Sequence, residues 1–168
     1  MARTDFGRIA CSIARSAAIV GDAWALLVVR DVAVGLHRFD EIQRDLGVAT
    51  NVLSDRLQRL TDAGVLRRHR YEQHPDRFEY LLTDKGRDLV PVLLALMAWG
   101  DRWEAGPDGP PLILYHHDCH HITEAAVTCG QCGNDLTADS VEYRPGPGGR
   151  PAPGTAIIGT VLTSPPIE

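Results

Sequence analysis

The 168-residue chain is 44% apolar and 23% charged, the proportions of a folded globular protein and not of a disordered one. Its net charge of −5 argues against a uniformly polyanion-binding surface, and its longest nearly apolar run, the 12 residues Leu89 to Gly100, is far short of the roughly 20 a bilayer span requires. The charge is unevenly placed: residues 1–105 carry 15 Lys+Arg against 15 Asp+Glu, whereas residues 106–168 carry 2 against 7. A local basic stripe is therefore compatible with an acidic whole.

The N-terminal stretch has no sustained apolar core followed by a small-residue cleavage site, so the expected location is the cytoplasm. Residues 9–20 read as a first helix stopped near Gly21, with Asp22 as N-cap of the next. That second helix, Ala23 to about Val34, is apolar on most sides (Trp24, Leu26, Leu27, Val28, Val29, Val32) and is expected at the centre of the core. Gly35 ends it.

Phe39, Ile42 and Leu46 fall at i, i+3 and i+7, which predicts a short amphipathic helix closed by Gly47. Thr50 is the expected N-cap of the following helix, where Leu53, Leu57 and Leu60 form an i, i+4, i+7 stripe and Gly64 supplies the stop. Two helices separated by about three residues must cross steeply, which is helix-turn-helix geometry. The face opposite the leucines carries Asn51, Val52, Ser54, Asp55, Gln58 and Arg59, with Arg56 on its flank. Amide and guanidinium groups on a helix sealed by leucines suit the major groove of double-stranded DNA, where Arg reads guanine and Asn or Gln reads adenine. A merely solvated face is the alternative.

Val65 to Tyr71 and Phe78 to Leu82 predict two strands around a polar tip, a wing. Arg67, Arg68, Arg70 and Arg77 on it, with Arg38 ahead of the first helix of the pair, are candidate phosphate contacts, which add affinity and salt dependence with little sequence choice. Thr83-Asp84 then caps a predicted long helix from Lys85 to about Trp103, possessing more apolar surface than its own domain needs. A homodimer contact is expected there, with Pro91 as a kink.

Gly106 to Pro111 marks a boundary. Beyond it, 112–115 and 124–128 read as strands and 141–143 as a third. Cys129-Gly-Gln-Cys132-Gly133 is a knuckle spacing, and with Cys119 and His116 it makes a candidate structural Zn2+ site; a reversible disulfide or reduced thiols are the alternatives. Catalysis by the cluster fails on spacing, because a zinc deaminase needs His-x-Glu and Pro-Cys-x-x-Cys, whereas Thr128 precedes Cys129 and His121 is followed by Ile-Thr-Glu. No enzyme is expected. From 145 on, 6 Pro and 5 Gly among 24 residues predict a largely disordered tail, apart from a possible partner-pairing strand over 156–162.

Residues 11–103 resemble the HxlR-type winged helix-turn-helix transcriptional regulators, relatives of the MarR group. The resemblance rests on Cys11, Val20-Gly21-Asp22-Ala23-Trp24, Leu26-Leu27-Val28-Val29-Arg30-Asp31, Gly35, Arg38-Phe39 and Ile42. It continues through Leu53-Ser54-Asp55-Arg56-Leu57, Leu60, Gly64-Val65-Leu66-Arg67-Arg68, Tyr80 and Leu82-Thr83-Asp84-Lys85-Gly86. It implies a homodimer on a two-half-site operator, usually as a repressor, and it singles out Cys11 as the position for a redox sensor, with Arg8 and Arg15 expected beside it. Members often have Gly-Lys-Trp where this chain has Asp22-Ala23-Trp24. The expected fold class is α+β, mainly α: a winged helix-turn-helix over 1–105 with a long C-terminal dimerisation helix, a small Cys/His β appendage over 106–144, and a tail over 145–168. A redox- or metal-responsive regulator working through Cys11 or the Cys119/Cys129/Cys132 cluster is the second functional expectation.

Overall fold

The computed structural model describes residues 5–74 and 76–158. Its elements are α1 (Ser12–Val20), α2 (Ala23–Val34), α3 (Phe39–Leu46), α4 (Thr50–Asp62), β1 (Leu66–Gln73), β2 (Asp76–Leu82), α5 (Asp84–Arg87), α6 (Val90–Trp103), β3 (Leu114–His116) and β4 (His121–Thr123). β1 and β2 pair antiparallel from Leu66↔Leu82 to Gln73↔Asp76, with an irregularity between Arg70 and Glu72; β3 and β4 form a separate hairpin.

The core follows the leucine and valine spacing. Ala25, Val28, Val29 and Val32 of α2 meet Ile42 of α3, the Leu53/Leu57/Leu60 stripe of α4, and Val65 and Leu66 at the root of the wing. Each large side chain buried there contributes about 1.5–3 kcal/mol relative to exposure, so the stripe alone fixes which way α4 faces. α2 is the hub, packed on α1, α3, α4, α6 and β2. Asp22 caps it by accepting from the Trp24 and Ala25 N–H groups at 3.1 and 3.3 Å. Trp24 itself stands in the first turn and is exposed, unlike the rest of the expected core set.

Between α3 and α4 lie three residues, and Gly47 takes φ +61°, a left-handed conformation that turns the chain at little cost only for glycine. α4 begins one residue earlier than expected: Ala49 holds the cap position without a side-chain cap, and Thr50 is the first helical residue. The Thr50 hydroxyl instead accepts from Gln43 Nε2 at 2.8 Å, clasping the turn from the α3 side. Arg30 completes the frame, reaching Asp31 at 2.6 Å and Asp45 at 2.9 Å and so tying α2 to α3.

Further expectations are corrected. The first helix starts at Ser12, because Asp5 caps a separate 3-10 turn at Phe6–Arg8, the chain bends at Ile9 and Ala10, and Cys11 takes extended backbone. Arg8 is thus not helically adjacent to Cys11, which sits at the N-cap of α1. The long helix is two helices: Thr83 caps α5 by accepting from the Gly86 N–H at 3.1 Å, and α6 restarts with Pro91 in its first turn. An uninterrupted helix would press the Pro91 ring on the Arg87 carbonyl and leave that carbonyl without a donor.

In the appendage, the strand expected over 124–128 lies earlier, at His121–Thr123, because it is His121 to Thr123 that pair with Leu114 to His116; Thr128 makes only a bridge to Asp135, and 141–143 is not a strand. In the tail, expected to be largely disordered, residues 145–151 are exposed, while Thr155 is 7% exposed and Gly154 lies so close to Ile9 that a Cβ would meet its side chain at 3.0 Å. Residues of this segment roof a cleft with Cys11, Ser12 and Arg15. The strand expected over 156–162 falls largely outside the described residues.

Candidate nucleic-acid interface

The exposed face of α4 holds Thr50, Asn51, Ser54, Asp55, Gln58 and Arg59, with Val52 half-buried at its edge. In the free chain two of these groups, Gln58 and Arg59, are held by carboxylates of the same helix. Arg59 Nε lies 2.9 Å from Asp55 Oδ2, and Gln58 Nε2 donates to Asp62 Oδ1 at 2.7 Å. Both pairs are exposed i, i+4 contacts worth a few tenths of a kcal/mol, so base or phosphate atoms can replace them cheaply.

Arg56 belongs to a different part of the molecule. Its guanidinium turns back to Asp22 in a two-pronged pair, Nε to Oδ1 at 2.6 Å and Nη2 to Oδ2 at 2.9 Å, and also contacts Asp55; its side chain is 20% exposed. The pair holds the Asp22 carboxyl below its ordinary value, the Arg56 hydrogen bond outweighing the opposing effect of burial, and it raises Arg56. Arg56 is thus directed to the α2 N-terminus and not to the open face, a placement hidden from helix periodicity because its partner lies 34 residues earlier.

The wing also differs from a plain basic stripe. Arg70 pairs with Asp76, Arg77 Nε lies 3.2 Å from Glu72 Oε2, and Arg38 Nε lies 3.9 Å from Glu79 Oε1 while its guanidinium stacks 4.9 Å from the Tyr71 ring centre. Arg68 lies over the Phe78 ring at 3.4 Å. Arg67 and Arg68 are the wing arginines without a carboxylate partner among the described residues, and both are exposed. They leave the largest uncompensated positive charge for a phosphate backbone.

The Cys/His residues of the appendage stand in two pairs. His116 Nδ1 is 3.2 Å from Cys119 Sγ. In the second turn the backbone N–H groups of Cys132 and Gln131, followed by the Cys132 thiol, stabilise the Cys129 thiolate and lower its pKa. All four cysteines are free thiols, and among the described residues no three His, Cys, Asp or Glu side chains close round one point. The expected four-ligand centre is therefore not assembled as such.

A polar helix presented by a three-residue turn and flanked by a two-stranded wing defines a winged helix-turn-helix DNA reader. Residues 19–107 match the model of the HxlR-like helix-turn-helix family. The chain is 40% identical over 137 residues to an uncharacterized HTH-type transcriptional regulator of Mycobacterium tuberculosis, covering 82% of this chain and 87% of that one. The crystal structure of PA1607, described as a candidate transcription factor, superposes with TM-score 0.74 at 36% identity over 83% of this chain and 98% of that one. The redox regulator HypR in its reduced form superposes with TM-score 0.52 at 28% identity over 55% of this chain and 92% of that one. The chain belongs to the HxlR-like helix-turn-helix family and is a DNA-binding transcriptional regulator of the helix-turn-helix type. Fold and relatives are those of transcription regulators, and among the described residues no helix is long and apolar enough to cross a membrane.

Proposed function

We propose that this regulator is a cytoplasmic repressor that binds as a homodimer to an operator of two half-sites. The observation that carries this reading is an apolar stripe on α6: Val92, Leu96, Trp99 and Trp103 recur at i, i+4, i+7 and i+11 and are 49–67% exposed in the single chain. Such a stripe is costly in water and is covered when a second copy packs on it, which sets two α4 helices on one face of a duplex. In each half-site, Asn51, Ser54, Gln58 and Arg59 read base edges, and Arg67 and Arg68 grip phosphates; Arg38, Arg70 and Arg77 add to that grip once DNA competes for their carboxylates.

The test is a gel shift with the DNA upstream of the regulator's own gene, alongside sedimentation of the free protein and a reporter under that promoter. A dimer, one specific shifted band and reporter output that rises on deletion of the regulator are expected; a monomer, or no specific shift, overturns the reading.

A second reading, response to oxidants, is favoured by one observation. Cys11 is half-buried at the N-cap of α1, in a cleft lined also by Arg15 and by residues of the 144–158 segment, and HypR, similar over 55% of this chain, is a redox regulator. A gel shift that peroxide abolishes in the native chain but not in Cys11→Ser supports it; equal behaviour of the two overturns it.

A further inference from the structure

We infer that the two turns of the appendage are a pair of metal knuckles which together bind one Zn2+ through Cys119, Cys129, Cys132 and His116. The two turns are built alike. In the first, His116 and Cys119 are three residues apart, His120 takes φ +58°, and its N–H donates to the His116 carbonyl at 2.9 Å. In the second, Cys129 and Cys132 are three residues apart, Gly133 takes φ +77°, and its N–H donates to the Cys129 carbonyl at 2.9 Å. His120 is the one non-glycine residue in the left-handed region among those described. The chain accepts that conformation where the second turn uses glycine, and in both turns it brings donors i and i+3 to the same side.

The structure also selects the imidazole. Four histidines lie in the first turn or beside it. His120 Nδ1 meets the Tyr115 hydroxyl at 3.1 Å, His121 Nδ1 the Cys119 carbonyl, and His117 packs edge-on against Tyr115; such contacts leave Nε2 able to ligate, so nearness to a thiol decides. His116 is the histidine whose Nδ1 faces a thiol, at 3.2 Å from Cys119 Sγ. A tetrahedral zinc with ordinary Zn–N and Zn–S bonds sets such a pair about 3.5 Å apart, so only a small opening of the turn admits the ion. The other ring nitrogen of His116, Nε2, lies 3.7 Å from Asp118 Oδ2. A carboxylate behind the non-ligating nitrogen is the usual support of a metal-bound histidine.

An independent observation is what the appendage lacks. From residue 106 onward no apolar side chain is buried among the described residues, while Ile113, Ile122, Val127 and Tyr143 are 57–76% exposed. A module of this size without a core needs a staple, and three thiols plus one imidazole are a donor set that selects zinc. The turns stand as separate pairs in the structure. Binding one ion would draw them together and supply the cross-link that the missing core does not.

The test uses the full chain, stripped of metal under reducing conditions and titrated with Co2+ as a spectroscopic stand-in and then with Zn2+. One ion per chain is expected, with the visible bands of a tetrahedral cobalt–thiolate centre that Zn2+ bleaches. Those bands should be lost in Cys119→Ser and Cys132→Ser, reduced in His116→Ala, and kept in Cys11→Ser. A second readout needs no variant: Zn2+ should protect three of the four cysteines of the native chain from alkylation and leave Cys11 unchanged. Two ions per chain, an octahedral cobalt spectrum, or alkylation of all cysteines at the same rate with and without Zn2+ each overturns the inference. So does a chain that takes up no metal and shows the two-hydrogen mass loss of a Cys129–Cys132 disulfide.

Discussion

Asp22 and Arg56 join the N-terminus of α2 to the middle of α4 through two hydrogen bonds of 2.6 and 2.9 Å. The same Asp22 Oδ1 that accepts from Arg56 also accepts from the Trp24 and Ala25 N–H groups. One carboxylate thus starts the hub helix and anchors the reading helix, coupling the orientation of α4 to the stability of α2.

Because Asp22 has two roles, its substitutions should separate them. Asp22→Asn keeps a good N-cap and loses the ionic part of the pair, while Asp22→Ala loses both; the alanine variant should lose about 1–2 kcal/mol and the asparagine variant clearly less. The pH dependence has a definite sign. The folded carboxyl lies below its ordinary 3.8, so its contribution is complete above that value and disappears as pH falls through the depressed folded value. Urea melts at neutral and acid pH measure both effects, and equal losses for the two variants would show that the cap contributes nothing.

The wing arginines should divide by their partners. Arg67→Ala and Arg68→Ala should each flatten the slope of log K against log salt by about one unit with little change in sequence preference. Arg70→Ala and Arg77→Ala should flatten it less, since Asp76 and Glu72 already offset those charges. Arg59→Ala should instead weaken the operator by about 1–3 kcal/mol and leave unrelated DNA nearly unaffected. Anisotropy titrations at several salt concentrations resolve the two kinds of loss, and identical slopes for all four wing variants would refute the division.

What could be read in the sequence was whatever depends on neighbours a few residues away. The Leu53/Leu57/Leu60 spacing fixed the buried face of α4, hence its open one, and the three residues after Leu46 fixed the turn. Arg56 escaped because its carboxylate lies in another helix, and the wing charges were overcounted because cross-strand pairing sets Glu72 against Arg77. The contact of Gly154 with Ile9 escaped for a different reason. The Pro and Gly content of the tail does not register the approach of Gly154 to Ile9 or the local turn in which the Thr155 hydroxyl donates to the Arg150 carbonyl at 3.2 Å.

The α6 stripe makes a prediction about assembly that is separable from folding. Leu96→Glu and Trp99→Glu place charge on side chains already 49% and 56% exposed in the single chain, so the helical signal should persist. Dimer dissociation should strengthen about thirtyfold or more, as for the loss of a central apolar anchor. Sedimentation across a concentration series reads this directly, and a full-strength dimer in both variants would place the interface elsewhere.

The last prediction concerns Asp31, which shares α2 with Asp22 and titrates with the opposite sign. Its side chain is 1% exposed; Arg30 occupies Oδ1, and Oδ2 has no hydrogen-bond partner. Burial pushes its carboxyl above 3.8, and the Arg30 hydrogen bond only partly opposes this. A group whose folded pKa is raised favours the protonated folded state, so its contribution is fully present below the unfolded value and is lost as pH rises through the folded one. Asp31→Asn removes that titration while keeping an acceptor for Arg30. At neutral pH the net change should be modest, within about 1 kcal/mol, because relief from burying a charge is set against a weaker contact with Arg30. The trend is the sharper readout: as pH rises from the ordinary 3.8 through the raised folded value, the stability difference should move steadily in favour of asparagine. Asp22 loses its contribution only below its ordinary range, so the two carboxylates act in different windows. A difference that moves the other way would mean that Arg30 keeps Asp31 ionised despite its burial, making the two a stable ion pair within α2 in place of a strained buried acid.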